Sequence, residues 1–228
     1  MPRCCATASW TRGTDAVSAP TPAAALPDPL PLFPLQLVLF PGAVLPLRVF
    51  EPRYLDLIST CLRTQQPFGV VCLRSGAEAG RNGTTVALED VGVLAHVDEV
   101  DAEQAGLLRV VCTGGQRFRI QGTPTQQGNG LWVAQAELMD PDPARLPGPA
   151  MLHTVKALAE AIRKLQAQDR QPFLPPYRLD DAGWVANRWC ELLPVPLAAK
   201  QKLMALSDPV IRLSLVDGFL RDKKVIIG

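Results

Sequence analysis

The stretch LFPLQLVLFPGAVLPLRVFEPRY, residues 32–54, decides the fold. Two short runs of β-forming residues, 37–40 and 44–49, lie on either side of the pair Pro41-Gly42. Proline followed by glycine is typical of a tight turn, and apolar runs on both sides of such a turn are typical of strands. The stretch therefore predicts two strands joined as a hairpin.

The end of this stretch predicts a helix, since Glu51-Pro52 suits a first helical turn and apolar residues at helical spacing continue to about Gln65. Beyond it, short β-branched or alternating segments are separated by glycine or acidic turns, and residues 75–83 are predicted as an exposed loop. The predicted strands are Phe68–Leu73, Val91–Val100, Leu107–Cys112, Gln116–Ile120 and Leu131–Met139. This close spacing favours an antiparallel barrel or sandwich over repeated βαβ units.

The segment DPDPARLPGP, residues 140–149, contains four prolines in ten residues and interrupts regular structure. We therefore predict a Pro-rich linker at 141–149, between a β domain at 30–140 and a helical subdomain at 150–228. Residues 1–29, with their Ala, Pro and Thr, are predicted as a flexible arm. Helices are predicted at Ala150–Gln168, Asp181–Leu192, Leu197–Leu206 and Pro209–Lys223, with Asp208 as the N-cap of the last.

Composition narrows the class of protein. With 228 residues, 47% of them hydrophobic and 20% charged, the chain can bury one large core or two small ones. A net charge of +1 provides no field that would gather nucleic acid or anionic lipid. No apolar run is long enough for a membrane span, and no secretory-type segment is recognised near the start. Six scattered cysteines fit reduced thiols, so a cytoplasmic location is predicted.

Several motifs resemble the opening of the N-terminal substrate-binding domain of Lon proteases in their order and spacing. They are Leu32-Phe33-Pro34-Leu35, Leu39-Phe40-Pro41-Gly42 and Leu45-Pro46-Leu47-Arg48-Val49-Phe50-Glu51-Pro52-Arg53-Tyr54. Later segments, Gly92-Val93, Gly115–Ile120, Glu191–Pro194 and Lys200–Leu203, fit stand-alone bacterial members. The resemblance implies an α+β fold in which a PUA-like antiparallel β barrel with one or two helices is followed by a C-terminal helical bundle.

The resemblance also implies a domain that recognises unfolded or tagged polypeptides, while separate domains of Lon hydrolyse ATP and cut peptide bonds. The sequence has no G-x-x-x-x-G-K-[ST] phosphate cradle, and His96 and His153 are its only imidazole bases. We therefore predict polypeptide or partner-protein binding without catalytic residues, cofactor or metal. Two alternatives stay open: a PUA-like nucleic-acid-binding module that uses Arg117-Phe118-Arg119, and a peptidase that retains the activity of the parent family.

Binding of flexible polypeptides requires an accessible apolar groove or a sheet edge. The predicted peptide-binding residues are Phe50, Tyr54, Phe68, Arg117 and Phe118. Phe33, Phe40 and Trp132 are further candidates for the lining. Glu51 suits a helix N-terminus, and its pairing with an arginine is expected to fix the strand–helix junction.

Overall fold

The computed structural model describes residues 26–75 and 86–225. Within them the chain has a seven-stranded sheet and five α-helices, so the predicted α+β class is confirmed. The strands are β1 (Leu30–Leu35), β2 (Val44–Val49), β3 (Phe68–Ser75), β4 (Ala87–Leu88), β5 (Val91–Gln104), β6 (Leu107–Gln126) and β7 (Trp132–Leu138). The helices are α1 (Pro52–Thr64), α2 (Leu152–Gln166), α3 (Ala182–Leu192), α4 (Leu197–Ala205) and α5 (Pro209–Asp222).

The strands follow the order β1-β7-β6-β5-β3-β4, with every neighbouring pair antiparallel. β1 also pairs with β3 in parallel, and β2 pairs with β6. Side chains of β1 are buried on both faces of the sheet. Leu32 lies in a small core cluster with Phe118, whereas Phe33 lies in the large cluster that includes α1 and the later helices. β1 is therefore an interior strand.

The predicted hairpin is wrong in its pairing. The tight turn exists, because Gly42 has a φ of 75° and the Ala43 N–H donates to the Phe40 carbonyl at 3.0 Å. However, residues 37–40 form no strand, and β2 pairs along its whole length with β6. The physical reason is burial: Leu39 and Phe40 place their side chains in the large core.

The two predicted strands at 107–112 and 116–120 are a single strand, β6. Gly114 and Gly115, which suggested a turn between them, are needed for close packing instead. A Cβ atom on Gly115 would lie 2.7 Å from the His96 ring, and one on Gly114 would collide with the Phe40 carbonyl. Glycine thus lets β6 run through a crowded part of the sheet without interruption.

Gly92 offers a direct test of this crowding. A Cβ atom there would lie 2.5 Å from both Phe118 Cζ and the Val70 carbonyl oxygen. We expect Gly92→Ala to lower the free energy of unfolding by about 1–3 kcal/mol, because overpacking shifts neighbouring groups. Gly128→Ala is the control, since nothing lies within 4 Å of its Cβ position. Urea denaturation measures both, and equal stability of the two variants would contradict the crowding.

The four predicted helices after residue 149 are confirmed as α2 to α5, with small differences at their ends. Two aspartates cap them: Asp208, the predicted N-cap of the last helix, and Asp181, which was predicted as the first residue of its helix. Asp181 accepts from the backbone N–H groups of Gly183 and Trp184, and Asp208 accepts from the first turn of α5. The helix predicted after Glu51-Pro52 is confirmed as α1.

Buried polar side chains fasten the helices to the sheet. Arg188 of α3 donates to the carbonyls of Pro41 and Gly42 at 2.7 and 2.6 Å. Gln201 of α4 donates to the Val91 carbonyl at 2.8 Å. Such bonds have fixed directions, so they set how the helices lie on the sheet.

Two sequence predictions fall largely outside the described residues: the loop at 75–83 and the arm at 1–29. Of the arm, Leu26 is described, and it packs against the small core cluster. Among the helices of the described ranges, none combines the length and the apolar character that a bilayer crossing requires.

Candidate functional site

Phe50 is the exposed aromatic residue at the end of β2, with 64% of its surface accessible. It borders a cleft of about 260 Å³, which we call the Phe50 groove. The end of β1, the second half of β2 and the start of α1 form its walls. Its lining residues are Phe33, Pro34, Leu35, Pro46, Leu47, Arg48, Val49, Phe50, Glu51 and Tyr54. A large apolar side chain exposed beside a cleft is available to a ligand.

The strand–helix junction beneath Phe50 is held by several contacts. Arg53 forms the expected ion pair with Glu51 at 2.6 Å and donates to the Gly130 carbonyl at 2.9 Å. Tyr54 stacks on Phe33 with ring centroids 3.9 Å apart. These contacts use charge, backbone and aromatic faces together, so the base of the groove is preorganised.

One edge of β2 pairs with β6, and the other edge lies beside the Phe50 groove. Among the described strands, β2 pairs with β6 alone. The Gly114 N–H donates to the Ala43 carbonyl at 2.8 Å, so Ala43 is a position whose backbone groups point toward β6. Alternation of the ladder then directs the backbone groups of Val44, Pro46 and Arg48 away from β6. Proline suits this position, because its missing N–H costs the β2–β6 ladder no bond.

The other predicted peptide-binding residues are buried. Phe68 and Phe118 are 0% exposed in the core, while Tyr54 and Arg117 are 4% and 3% exposed. Phe33 and Phe40 are core residues as well. Arg117-Phe118-Arg119 therefore presents no aromatic face for stacking a base. Of the five predicted residues, Phe50 and Tyr54 come together at one groove, and Arg117 lines a different cleft.

That second cleft, of about 330 Å³, lies where the sheet meets the helices, and we call it the junction cleft. It is formed by the turn before β2, the middle of β6, the Pro-rich connector and the start of α3. Its lining residues are Pro41, Gly42, Gly115, Gln116, Arg117, Pro141, Asp142, Arg178, Asp181, Gly183, Trp184 and Asn187. Ligand clefts of proteins often occupy such junctions between structural units.

A buried ion cluster stands beside the junction cleft. Asp142 accepts from Arg117 at 2.5 Å and from Arg212 of α5 at 2.6 Å. Both arginines are almost fully buried, with exposures of 3% and 1%. Other donors of the two arginines reach backbone carbonyls near the end of α4, including Met204 and Leu203 at 3.1 and 2.9 Å, and Arg212 also donates to Asn187 Oδ1. One carboxylate thus serves two buried guanidinium groups, which leaves a local excess of one positive charge.

Sequence reasoning missed this cluster. Asp142 lies in a segment that prolines mark as a connector, and Asn187 lies on a helix without a local feature that would select it. A signal was present in hindsight: Arg212 occupies a position on the buried side of α5, next to Leu213. Charged residues are rarely fully buried without a partner, so such a position indicates a buried ion pair.

Burial is the largest cause of the pKa shifts of four groups, Arg117, Glu191, Cys61 and Cys190. It lowers the pKa of the Arg117 guanidinium, against the opposing effect of Asp142, and arginine nevertheless keeps its charge at neutral pH. Burial raises the pKa of Glu191 to about 7, opposed by Arg188. It raises the pKa of Cys61 to about 11 and that of Cys190 to about 12, so both thiols are protonated at neutral pH.

Neither histidine is a lining residue of the two clefts, although His96 lies next to Gly115 of the junction cleft. His96 is exposed on β5. His153 lies 2.9 Å from Asp217, and the Thr154 hydroxyl donates to the same carboxylate oxygen rather than to the imidazole. Within residues 26–75 and 86–225, no group of three or more His, Cys, Asp or Glu side chains is arranged to hold a metal ion.

An open groove beside a strand edge that pairs with no described strand is a feature of domains that bind ligands or peptides. The chain belongs to the family of the ATP-dependent protease La (Lon) substrate-binding domain, whose model matches residues 29–222. Neither an ATPase nor a peptidase domain is matched. No curated protein shows significant sequence similarity to the chain.

Solved structures agree with this family. The Lon N-terminal domain protein from Xanthomonas campestris is 32% identical, with a TM-score of 0.64, and the match covers 83% of this chain and 96% of that one. The N-terminal domain of the Mycobacterium avium complex Lon protease is 18% identical, with a TM-score of 0.56, and the match covers 85% and 98%. The second likeness concerns the fold alone.

Proposed function

We propose that this chain binds extended segments of polypeptide in the Phe50 groove and has no catalytic activity of its own. Membership of a substrate-binding domain family supports a substrate-binding role. The observation that supports the location is the exposed Phe50 next to a strand edge that pairs with no described strand. Unfolded clients share backbone groups and apolar side chains, and this groove offers a complement to both.

The proposed binding mode is addition of a client strand to β2. The outward carbonyls of Val44, Pro46 and Arg48 accept hydrogen bonds from client N–H groups, and Phe50 takes up an apolar client side chain. Backbone bonds give affinity without reading sequence, which suits a domain with varied clients. Because Pro46 donates nothing, the edge engages a short segment and avoids permanent pairing between copies.

The finer architecture belongs to the same proposal. Pairing of β1 with both β7 and β3 supports a PUA-like barrel, and contacts between α3 and α5 support a helical bundle packed beside it. We propose the domain limits 30–140 and 150–228 for these parts. The ion cluster at Asp142 implies that the connector at 141–149 is fixed to both of them.

We expect Phe50→Ala to weaken binding of a fluorescein-labelled, reduced and carboxymethylated α-lactalbumin about tenfold or more, because a buried Phe contributes roughly 1.5–3 kcal/mol. Fluorescence anisotropy measures the dissociation constant. Leu146→Ala is the matched control, since Leu146 is 75% exposed but lies outside the groove. Equal losses in both variants, or none in Phe50→Ala, would place the site elsewhere.

Absence of catalysis has a separate test. Purified protein incubated with fluorescent casein is expected to associate with it and to release no new fragments, with or without ATP. Gel electrophoresis and anisotropy on the same samples distinguish association from cleavage. Appearance of ATP-dependent fragments would disprove the non-catalytic part of the proposal.

A further inference from the structure

The junction cleft shares no lining residue with the Phe50 groove, and polypeptide binding along β2 gives it no role. Its chemistry differs as well. The Phe50 groove has Arg48 and Glu51 among its lining residues, whereas the junction cleft combines Trp184 and two prolines with the buried side chains of Arg117 and Asn187. A mixed lining of this kind selects a ligand with one polar end and one apolar end.

Charge in and beside the cleft favours an anion. Arg117 and Arg212 share the single carboxylate of Asp142, and the exposed Arg178 pairs with Asp181. The three arginines and two aspartates have a net charge of +1. The excess charge belongs to the buried pair Arg117 and Arg212, which share one carboxylate. A charge that is shielded from water interacts more strongly with a ligand than one at the surface.

Asn187 adds a specific donor. Its side chain is 4% exposed and lines the cleft, and its Oδ1 accepts from Arg212 at 3.0 Å. This bond fixes the orientation of the amide, so Nδ2 is the group left for the cleft. Within the described residues its N–H groups have no hydrogen-bond partner. Asn187 Nδ2 is not one of the described side-chain atoms that are both fully buried and unpartnered, so it is accessible from the cleft, where an acceptor on a ligand can replace water.

We propose that the junction cleft binds a carboxylate carried on an apolar group. The Asn187 amide and the Arg117 guanidinium donate to the carboxylate oxygens, and the apolar group lies against Trp184. A planar monoanion suits these donors. A phosphate dianion suits them less, because the carboxylates of Asp142 and Asp181 also line the cleft and would repel its second charge.

Two sources supply this chemistry: the free C-terminus of a polypeptide and a small organic acid. The C-terminal source rests on the proposed function, since it makes the cleft a second contact for a bound client. The carboxylate site itself does not, because it would bind a small acid without any client. The experiment therefore contains one probe for each source.

The first probe is a fluorescein-labelled heptapeptide that ends in leucine, compared with the same peptide as its C-terminal amide. We expect the free acid to bind at least about tenfold more tightly than the amide, because hydrogen bonds to charged groups are the stronger ones. N-acetyl-leucine is expected to compete with the acid, and N-acetyl-leucinamide is not. Equal affinity for acid and amide would overturn the carboxylate site. This comparison uses the unaltered chain.

Asn187→Asp tests whether the Asn187 amide donates to the bound carboxylate. The aspartate keeps an acceptor for Arg212, removes the N–H donors and adds a negative charge in the cleft. We expect at least about a tenfold loss of affinity for the free acid in a variant that circular dichroism shows to be folded. Asn129→Asp is the matched control, since Asn129 Oδ1 likewise accepts a hydrogen bond, from the Leu131 N–H, outside the cleft. An equal loss in both variants would overturn the role of Asn187.

Different results would contradict the Phe50 groove and the carboxylate site. If N-acetyl-leucine binds while the peptide acid does not, the cleft is a small-acid site and the C-terminal source is overturned. If unfolded α-lactalbumin does not bind but the peptide acid does, the proposed function of the Phe50 groove fails and the carboxylate site stands. Phe50→Ala is expected to leave binding of the peptide acid unchanged, and a loss there would contradict two separate sites.

Discussion

Asp142→Asn is expected to lower the free energy of unfolding by about 3–5 kcal/mol, because it removes the one carboxylate between two buried guanidinium groups. Asparagine has nearly the same shape, so the effect is one of charge rather than volume. Arg117 on β6 and Arg212 on α5 would then face each other without a counter-charge. Chemical denaturation followed by circular dichroism measures the change.

The matched control lies two residues away. Asp140→Asn makes the same chemical change at an exposed position directly before the connector. Surface substitutions of this kind usually change stability by no more than about 0.5 kcal/mol. A similar small effect of Asp142→Asn would mean that water or a neighbouring group neutralises the cluster, and the connector would then not be fixed by it.

Phe118→Ala is expected to cost about 3–5 kcal/mol of stability, because it leaves a cavity in a packed core. Phe118 is 0% exposed and lies in the small cluster with Leu32 and Leu94. A Cβ atom on Gly69 or Gly92 would lie 2.7 or 2.5 Å from the Phe118 Cζ, which shows how tightly the ring is enclosed. Thermal and urea unfolding measure the loss.

Phe50→Ala makes the same substitution on an exposed ring, and its effect on stability is expected to stay within about 0.5 kcal/mol. The pair separates the two roles of phenylalanine in this chain, since Phe118 supports the fold and Phe50 the proposed binding. If Phe118→Ala folded with wild-type stability but lost binding of unfolded α-lactalbumin, the assignment of Phe118 to the core would be wrong.

The sequence predicted the helices well because their signals are local. Pro52 and Pro209 begin helices, Asp181 and Asp208 cap them, and the apolar spacing in α2 defines its extent. Each of these signals acts over one or two helical turns. The α+β class and the resemblance to the Lon substrate-binding domain followed from the same short-range patterns.

Strand pairing was harder to predict. Pro41-Gly42 does make a turn, yet β2 pairs with β6, more than fifty residues later in the chain. Gly114 and Gly115 look like turn residues, but they permit close packing inside one long strand. Glycine occurs both in turns and at close contacts within a sheet, and only the residues around it in the fold show which role it has.

The candidate sites show the same division. Five residues were predicted to bind peptide from their aromatic or charged character, and of these Phe50 is the exposed one. Phe50 and Phe68 look alike in the sequence, since each stands at one end of a β-forming run, 44–49 before Phe50 and 69–73 after Phe68. Asp142 and Asn187 were not predicted at all, because their roles depend on Arg212, which is remote in sequence.

The amino-acid sequence by itself determined the class of fold, the helices, the Asp208 cap, the Pro41-Gly42 turn and the family. Tertiary structure alone decided which strand pairs with β2, which phenylalanine meets solvent and which charges share a buried pocket. The reason is the range of the interactions involved. Backbone conformation and capping depend on neighbours along the chain, whereas burial and ion pairing depend on residues that meet only after the chain has folded.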